Sequence, residues 1–77
     1  MNTDTFATIA SLAATTFGVD EAAITPETRI KDLGGKSLQI VALNSLIEEK
    51  LGVGVPIREV MKIETIGQLA DRVAQEL

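Results

Sequence analysis

A chain of 77 residues with a net charge of −4 has room for one domain, residues 1–77, and one hydrophobic core. It contains no histidine and no cysteine, which excludes disulfides, zinc sites built on those residues, and Ser-His-Asp or Cys-His nucleophiles. The acidic balance argues against nucleic-acid binding, and the absence of any run of about 18 apolar residues argues against a membrane span. We therefore expect a cytoplasmic monomer that is not an enzyme, and mild acidity is consistent with docking onto basic partner surfaces.

The first element in chain order is an amphipathic helix over residues 4–17. Its apolar stripe has helical spacing and comprises Phe6, Ile9, Ala10, Ala13 and Phe17. Gly18 occupies the position at which a left-handed residue ends a helix. Residues 18–36 are a long connection, which we expect to be an ordered loop held against the core by Val19, Ile24, Ile30 and Leu33.

Three further helices follow the connection. The second covers residues 37–50, and its core side carries Ile40, Leu43, Leu46, Ile47 and Leu51. Residues 55–61 have a proline, Pro56, at their second position, and this predicts the start of a short third helix. Thr65 and Gln68 have capping-box spacing and begin the fourth helix, whose apolar positions are Ile66, Leu69, Ala70, Val73 and Leu77. The pattern predicts an all-α bundle of four helices.

The turn Gly34-Gly35-Lys36-Ser37 leads directly into the second helix. Ser37 is therefore expected at a helix N-terminus, where unpaired amides and the helix dipole favour a phosphate ester on its hydroxyl. The alternative is an unmodified helical interaction module in which Ser37 is a simple N-cap, because serine is a favoured cap. A phosphate-binding P-loop is excluded, since Ile30 stands where that motif needs glycine and no strand precedes it.

One side of the second helix is apolar but faces away from the core stripe. No charged residue occurs from Leu38 to Ile47. This clustering favours a docking patch for partner proteins. The predicted patch comprises Leu38, Val41, Ala42 and Ser45, with Glu48 and Glu49 further along the helix.

At these residues the chain resembles the phosphopantetheine-dependent carrier proteins. The segment 32–38, Asp-Leu-Gly-Gly-Lys-Ser-Leu, is similar to the Gly-Gly-x-Ser-Leu signature of peptidyl carrier domains. Three later segments resemble the end of helix two, the entry to helix three and the start of helix four, namely 47–53, 55–58 and 65–70. The motifs span nearly the whole chain in the family's order and spacing.

The resemblance implies a bundle of the acyl-carrier-protein type with a 4′-phosphopantetheine arm on Ser37. A phosphopantetheinyl transferase would attach the arm from coenzyme A, with Gly35, Lys36 and Leu38 beside the attachment point. The arm would carry an acyl or aminoacyl group as a thioester to loading, condensing or transferring enzymes, and the carrier itself would be non-catalytic. From the start at Met1 and the end at Leu77 we expect a discrete protein, with an excised module of a larger synthase as the alternative.

Two departures from the family pattern concern the pathway. Fatty-acid carriers usually have Asp where this chain has Lys36, and acidic residues early in helix two where it has Gln39 and Ala42. These differences argue against routine fatty-acid elongation.

Overall fold

The computed structural model describes residues 3–34 and 36–77, and this part of the chain forms four α-helices. They are α1 (Thr3–Phe17), α2 (Ser37–Leu51), α3 (Ile57–Val60) and α4 (Ile66–Ala74). The connection between α1 and α2 contains two short 3-10 helices, Glu21–Ala23 and Ile30–Leu33, which the sequence analysis did not predict. Within the described ranges there is no strand, only an isolated bridge between Arg29 and Thr65. The all-α class with four helices is confirmed.

Glycines end the two long helices where the sequence places them. Gly18 and Gly52 have φ angles of 69° and 72°, in the left-handed region where a side chain would be strained. The Gly52 amide donates to Glu48 O at 2.8 Å, and the Val19 amide donates to Ala14 O at 3.1 Å. Both bonds satisfy carbonyls that a helix C-terminus would otherwise leave without partners.

The core forms where α1 packs against both α2 and α4. Its helical members are Ile9, Ala10, Ala13, Leu43, Ile47, Val60, Ile66, Leu69, Ala70 and Val73. The helix facings are therefore confirmed, although Phe6, Phe17, Ile40, Leu46 and Leu51 are only half-buried. The prediction that Leu77 belongs to the apolar face of α4 is wrong. Leu77 is 62% exposed, because α4 ends at Ala74 and Leu77 lies beyond its last turn.

The long connection is fastened to the beginning of α4 by backbone hydrogen bonds. The amides of Ile66 and Gly67 donate to the carbonyls of Thr28 and Pro26, each at 2.9 Å. In the opposite direction, the Ile30 amide donates to Glu64 O at 2.9 Å. Ile24 and Ile30 are buried beside these bonds, which confirms that the loop is held against the core.

The predicted capping box completes the start of α4. Thr65 Oγ1 accepts from the Gln68 amide at 3.1 Å, and Gln68 Oε1 accepts from the Thr65 amide at 3.3 Å. Together with the loop carbonyls, these contacts give partners to the amides that begin the helix. The N-terminus of α4 is consequently closed to any external ligand.

Ion pairs contribute little to holding this fold together. Arg72 on α4 contacts Glu59 on α3 at 3.2 Å and Glu76 at 2.9 Å. The hydrogen bond to Glu59, followed by that to Glu76, raises the pKa of Arg72. Solvent screens such exposed pairs, so they contribute far less than burial of the core side chains.

We expect Gly67→Ala to destabilise the protein although alanine is the better helix former. A Cβ at this position would lie 2.7 Å from Pro26 O and 2.9 Å from Pro26 Cβ, so the connection would have to move. Overpacking and a weakened hydrogen bond outweigh the propensity gain, for a net loss of about 1–2 kcal/mol. Urea unfolding followed by circular dichroism measures this loss.

Gly54→Ala is the matched control for this substitution. A Cβ at Gly54 would meet only the side chain of Glu48, at 3.1 Å from Oε2, and that flexible chain can turn away. Its unfolding curve should stay close to that of the wild type. Equal unfolding midpoints for Gly67→Ala and wild type would contradict the close approach of Pro26.

Candidate functional site

The chain makes a sharp turn immediately before α2. The second 3-10 helix ends at Gly34, whose φ of 87° and ψ of 30° are left-handed. Its amide donates to Lys31 O at 3.2 Å, and the Lys36 amide donates to Gly34 O at 2.8 Å. A side chain at Gly34 would be strained, so this glycine allows the reversal that directs the chain into α2. Gly35, which the sequence places in the site, lies outside the described residues.

Ser37 is the first residue of α2, and the N-cap is Lys36, with φ −74° and ψ 153°. Lys36 makes no side-chain capping bond. Among the described residues, none forms a hydrogen bond with Ser37 Oγ, and the residue is exposed. The interpretation of Ser37 as a simple N-cap is therefore wrong: the serine lies one position inside the helix, and its hydroxyl points to no capping partner.

The helix beginning at Ser37 has an open N-terminus. The first bond of the helix runs from the Ile40 amide to Lys36 O at 3.0 Å. The preceding amides, of Ser37, Leu38 and Gln39, find no acceptor in ranges 3–34 and 36–77. No acidic residue occupies the first turn, and Lys36 is exposed beside it. An anionic ester on Ser37 Oγ therefore fits this end of α2 both sterically and electrostatically.

One face of α2 points away from the core, as predicted from the sequence. Leu38 is 80% exposed and Val41 is 43% exposed. Ala42, Ser45, Glu48 and Glu49 are exposed as well. These exposures confirm the facing of the helix, while the docking role of the residues stays a prediction.

Two further apolar side chains, which were not predicted as part of the docking patch, are exposed in α3 and directly after it. Ile57 in α3 and Met61 just after it are 40% and 45% exposed, and α3 packs against α2. Their spacing of four residues, with buried Val60 between them, is the signal that could have identified them. The exposed apolar side chains therefore lie on two neighbouring helices rather than on α2 alone.

The described part of the chain contains neither a cluster of metal ligands nor a helix able to cross a membrane. Its acidic residues form no group of three or more that could hold a metal ion. None of the helices in residues 3–34 and 36–77 has the length and apolar character needed to cross a membrane.

Comparison with known proteins places this geometry in a family. Residues 7–73 match the model of the family described as "Phosphopantetheine attachment site". The acyl carrier proteins of Helicobacter pylori strains G27 and HPAG1 are 40% identical over 65 residues, covering 83% of either chain. The structure of BlmI, a type-II acyl carrier protein from Streptomyces verticillus involved in bleomycin biosynthesis, superposes with a TM-score of 0.83 at 25% identity. That match covers 94% of this chain and 84% of BlmI.

The fold and the match over residues 7–73 define a carrier protein with an acyl-carrier-type helical bundle. The chain belongs to the phosphopantetheine attachment site family. Its cofactor is covalently attached 4′-phosphopantetheine, and it serves biosynthetic enzymes as a carrier rather than as a catalyst. The alternative of an unmodified interaction module is not favoured, and the capping geometry on which it depended is absent at Ser37.

Removal of a side-chain hydroxyl should affect the free energy of unfolding differently at the N-termini of α2 and α4. Ser37→Ala should leave the free energy of unfolding nearly unchanged, because Oγ bonds to none of the described residues. Thr65→Ala should cost about 1 kcal/mol, because it removes the acceptor for the Gln68 amide. Chemical denaturation of both variants measures the difference, and a loss of similar size at Ser37 would show that its hydroxyl does cap α2.

Proposed function

We propose that Ser37 Oγ is the atom to which the 4′-phosphopantetheine arm is esterified. The observation that carries this proposal is the exposed hydroxyl at the open N-terminus of α2. The chain has two other serines, Ser11 and Ser45, and both lie within helices, away from unpaired amides. Ser37 alone among the three combines exposure with a position at the positive end of a helix dipole.

A partner enzyme would carry out the attachment chemistry and supply the general base for the Ser37 hydroxyl. A phosphopantetheinyl transferase would remove the hydroxyl proton while Oγ bonds to the pantetheine-side phosphorus of coenzyme A. The pyrophosphate bond then breaks, and adenosine 3′,5′-bisphosphate leaves. Lys36 and the amides of Ser37 and Leu38 would then face the new phosphodiester and stabilise its charge. The bound arm supplies the thiol that holds cargo as a thioester, a group that a chain without cysteine cannot supply itself.

The cargo of this carrier is an acyl or aminoacyl group, presented to loading, condensing or transferring enzymes. The relatives include acyl carrier proteins and a type-II carrier involved in bleomycin biosynthesis. Lys36, Gln39 and Ala42 replace residues that are usually acidic in fatty-acid carriers, which supports a specialised pathway over routine fatty-acid elongation. A single carrier domain over residues 1–77, working as a monomer in the cytoplasm, remains our prediction.

Partner enzymes would recognise the exposed side of α2 next to Ser37. Leu38 and Val41 supply apolar area, Ala42 and Ser45 allow close approach, and the carboxylates of Glu48 and Glu49 form the far rim. An apolar centre with a polar rim is the usual composition of a transient protein interface. The support for this assignment is that the exposed apolar side chains of Leu38 and Val41 lie together on one side of α2, next to the exposed Ser37.

The attachment site is tested by intact-mass measurement. Incubation with coenzyme A and a broad-specificity phosphopantetheinyl transferase should add one phosphopantetheine to the wild-type protein and none to Ser37→Ala. Ser11→Ala is the matched control and should be modified as the wild type is, because its hydroxyl lies in the middle of α1 and outside the docking surface. Modification of Ser37→Ala, or an unchanged wild-type mass, would refute the assignment.

The docking surface is tested by Leu38→Glu. A charge placed in the apolar centre should lower kcat/KM of the transferase reaction about tenfold, corresponding to about 1.4 kcal/mol of lost contact. Helix content should not fall, because Leu38 is exposed and a carboxylate in the first turn is compatible with the helix dipole. Leu77→Glu, also at an exposed leucine, is the control and should be modified at the wild-type rate. Equal modification rates for Leu38→Glu and Leu77→Glu would show that Leu38 does not contact the transferase.

A further inference from the structure

Exposed lysines gather on the side of the molecule where α2 begins. Lys36 immediately precedes Ser37. Lys31 and Lys62 line one surface depression together with Ile40 of α2, and Ile40 follows Ser37 by a helical rise of about 4.5 Å. All three lysines are exposed, and none has an ion-pair partner in residues 3–34 and 36–77. Three uncompensated ammonium groups therefore lie near the first turn of α2.

The carboxylates on this side of the molecule offset those lysines only in part. Glu64 lies 4.0 Å from Arg29, so its charge is already balanced by another cation. Asp32 is exposed in the second 3-10 helix and forms no ion pair with any described residue. Segments 29–41 and 61–64 together contain four cations and two carboxylates, which leaves a local excess of two positive charges.

The carboxylates of α2 itself lie too far away to neutralise this excess. No charged residue follows Lys36 on α2 until Glu48. Glu48 comes eleven residues after Ser37, which corresponds to a helical rise of about 16 Å. At physiological ionic strength the Debye length is about 8 Å, so exposed charges this far apart are largely screened from each other. The positive end of the docking surface is therefore electrostatically separate from its acidic end.

The apolar centre of the docking surface lies within the positive region. Leu38 and Val41 are exposed in the first two turns of α2. Met61 is 45% exposed and lines the same depression as Ile40, which places it beside α2 as well. A partner surface that covers these side chains must approach the three lysines. A basic partner would be repelled there, whereas carboxylates around an apolar pocket would be attracted.

We propose that this end of the docking surface binds partner enzymes whose contact area is acidic around an apolar pocket. The pocket would receive Leu38, and the carboxylates would lie opposite the three lysines. This is the reverse of the docking onto basic surfaces that the net charge of −4 suggests. The inference rests on the proposed docking role of α2 beside Ser37 and adds the chemistry of the partner.

Two synthetic peptides of opposite charge test the proposal. Both are amphipathic helices with leucine and alanine at the same positions, and the remaining positions are glutamate in one and lysine in the other. In NMR titrations of the ¹⁵N-labelled protein, the glutamate peptide should shift the amides of 31, 36–41 and 61–62, and added NaCl should weaken its binding. The lysine peptide should bind at these residues about fivefold more weakly or not at all. Equal affinities at 36–41, or tighter binding of the lysine peptide there, would overturn the proposal.

Charge-removing variants identify the residues responsible. Lys31→Gln, Lys36→Gln and Lys62→Gln should each raise the Kd of the glutamate peptide about two- to fivefold, the range expected for an exposed ion pair. Lys50→Gln is the matched control, because it removes the same charge at the far end of α2 and outside the depression.

The same variants separate this inference from the proposed function. Intact mass after incubation with coenzyme A and the transferase reports loading at Ser37, and the peptide titrations report the charge preference of the surface. Equal effects of all four substitutions on the Kd would show that the attraction depends on net charge alone. That result would overturn the proposal even when loading at Ser37 is complete.

Discussion

The hydrogen bonds between the long connection and the start of α4 determine the path of the chain to the site. An α-helix leaves its first amides without intrahelical partners, and a buried amide without a partner is costly. Here Thr28 O and Pro26 O accept from Ile66 and Gly67, both of which are buried. The connection is therefore required for α4 to begin inside the protein. Its fixed path carries Ile30 into the core and leads the chain to the beginning of α2.

The same backbone chemistry has opposite consequences at the two helix N-termini. The amides that begin α4 are occupied by loop carbonyls and the Thr65 hydroxyl, whereas those that begin α2 have no acceptor among the described residues. The first arrangement contributes stability. The second leaves a positive, accessible helix end beside the Ser37 hydroxyl, which suits an anionic ester. The difference arises from position, because α4 begins within the core and α2 begins at the surface.

Charge is distributed unevenly around this end of the molecule. Lys31, Lys36 and Lys62 are exposed and have no ion-pair partners among the described residues, although the whole chain is acidic. Net charge therefore does not describe the surface around Ser37. The expectation of docking onto basic surfaces came from net charge, and it takes no account of this local excess of lysine.

The sequence by itself determined the helices, their glycine and capping-box boundaries, and the position of Ser37 at the start of α2, because these features depend on residues within a few positions of one another. The tertiary structure alone decided which apolar residues are covered: it left Leu77 exposed beyond the end of α4. It also decided that Lys36, rather than Ser37, occupies the cap, and that Lys31 and Lys62 share one depression. Gly67 and Pro26 are far apart in the chain, so no local sequence pattern predicts their contact.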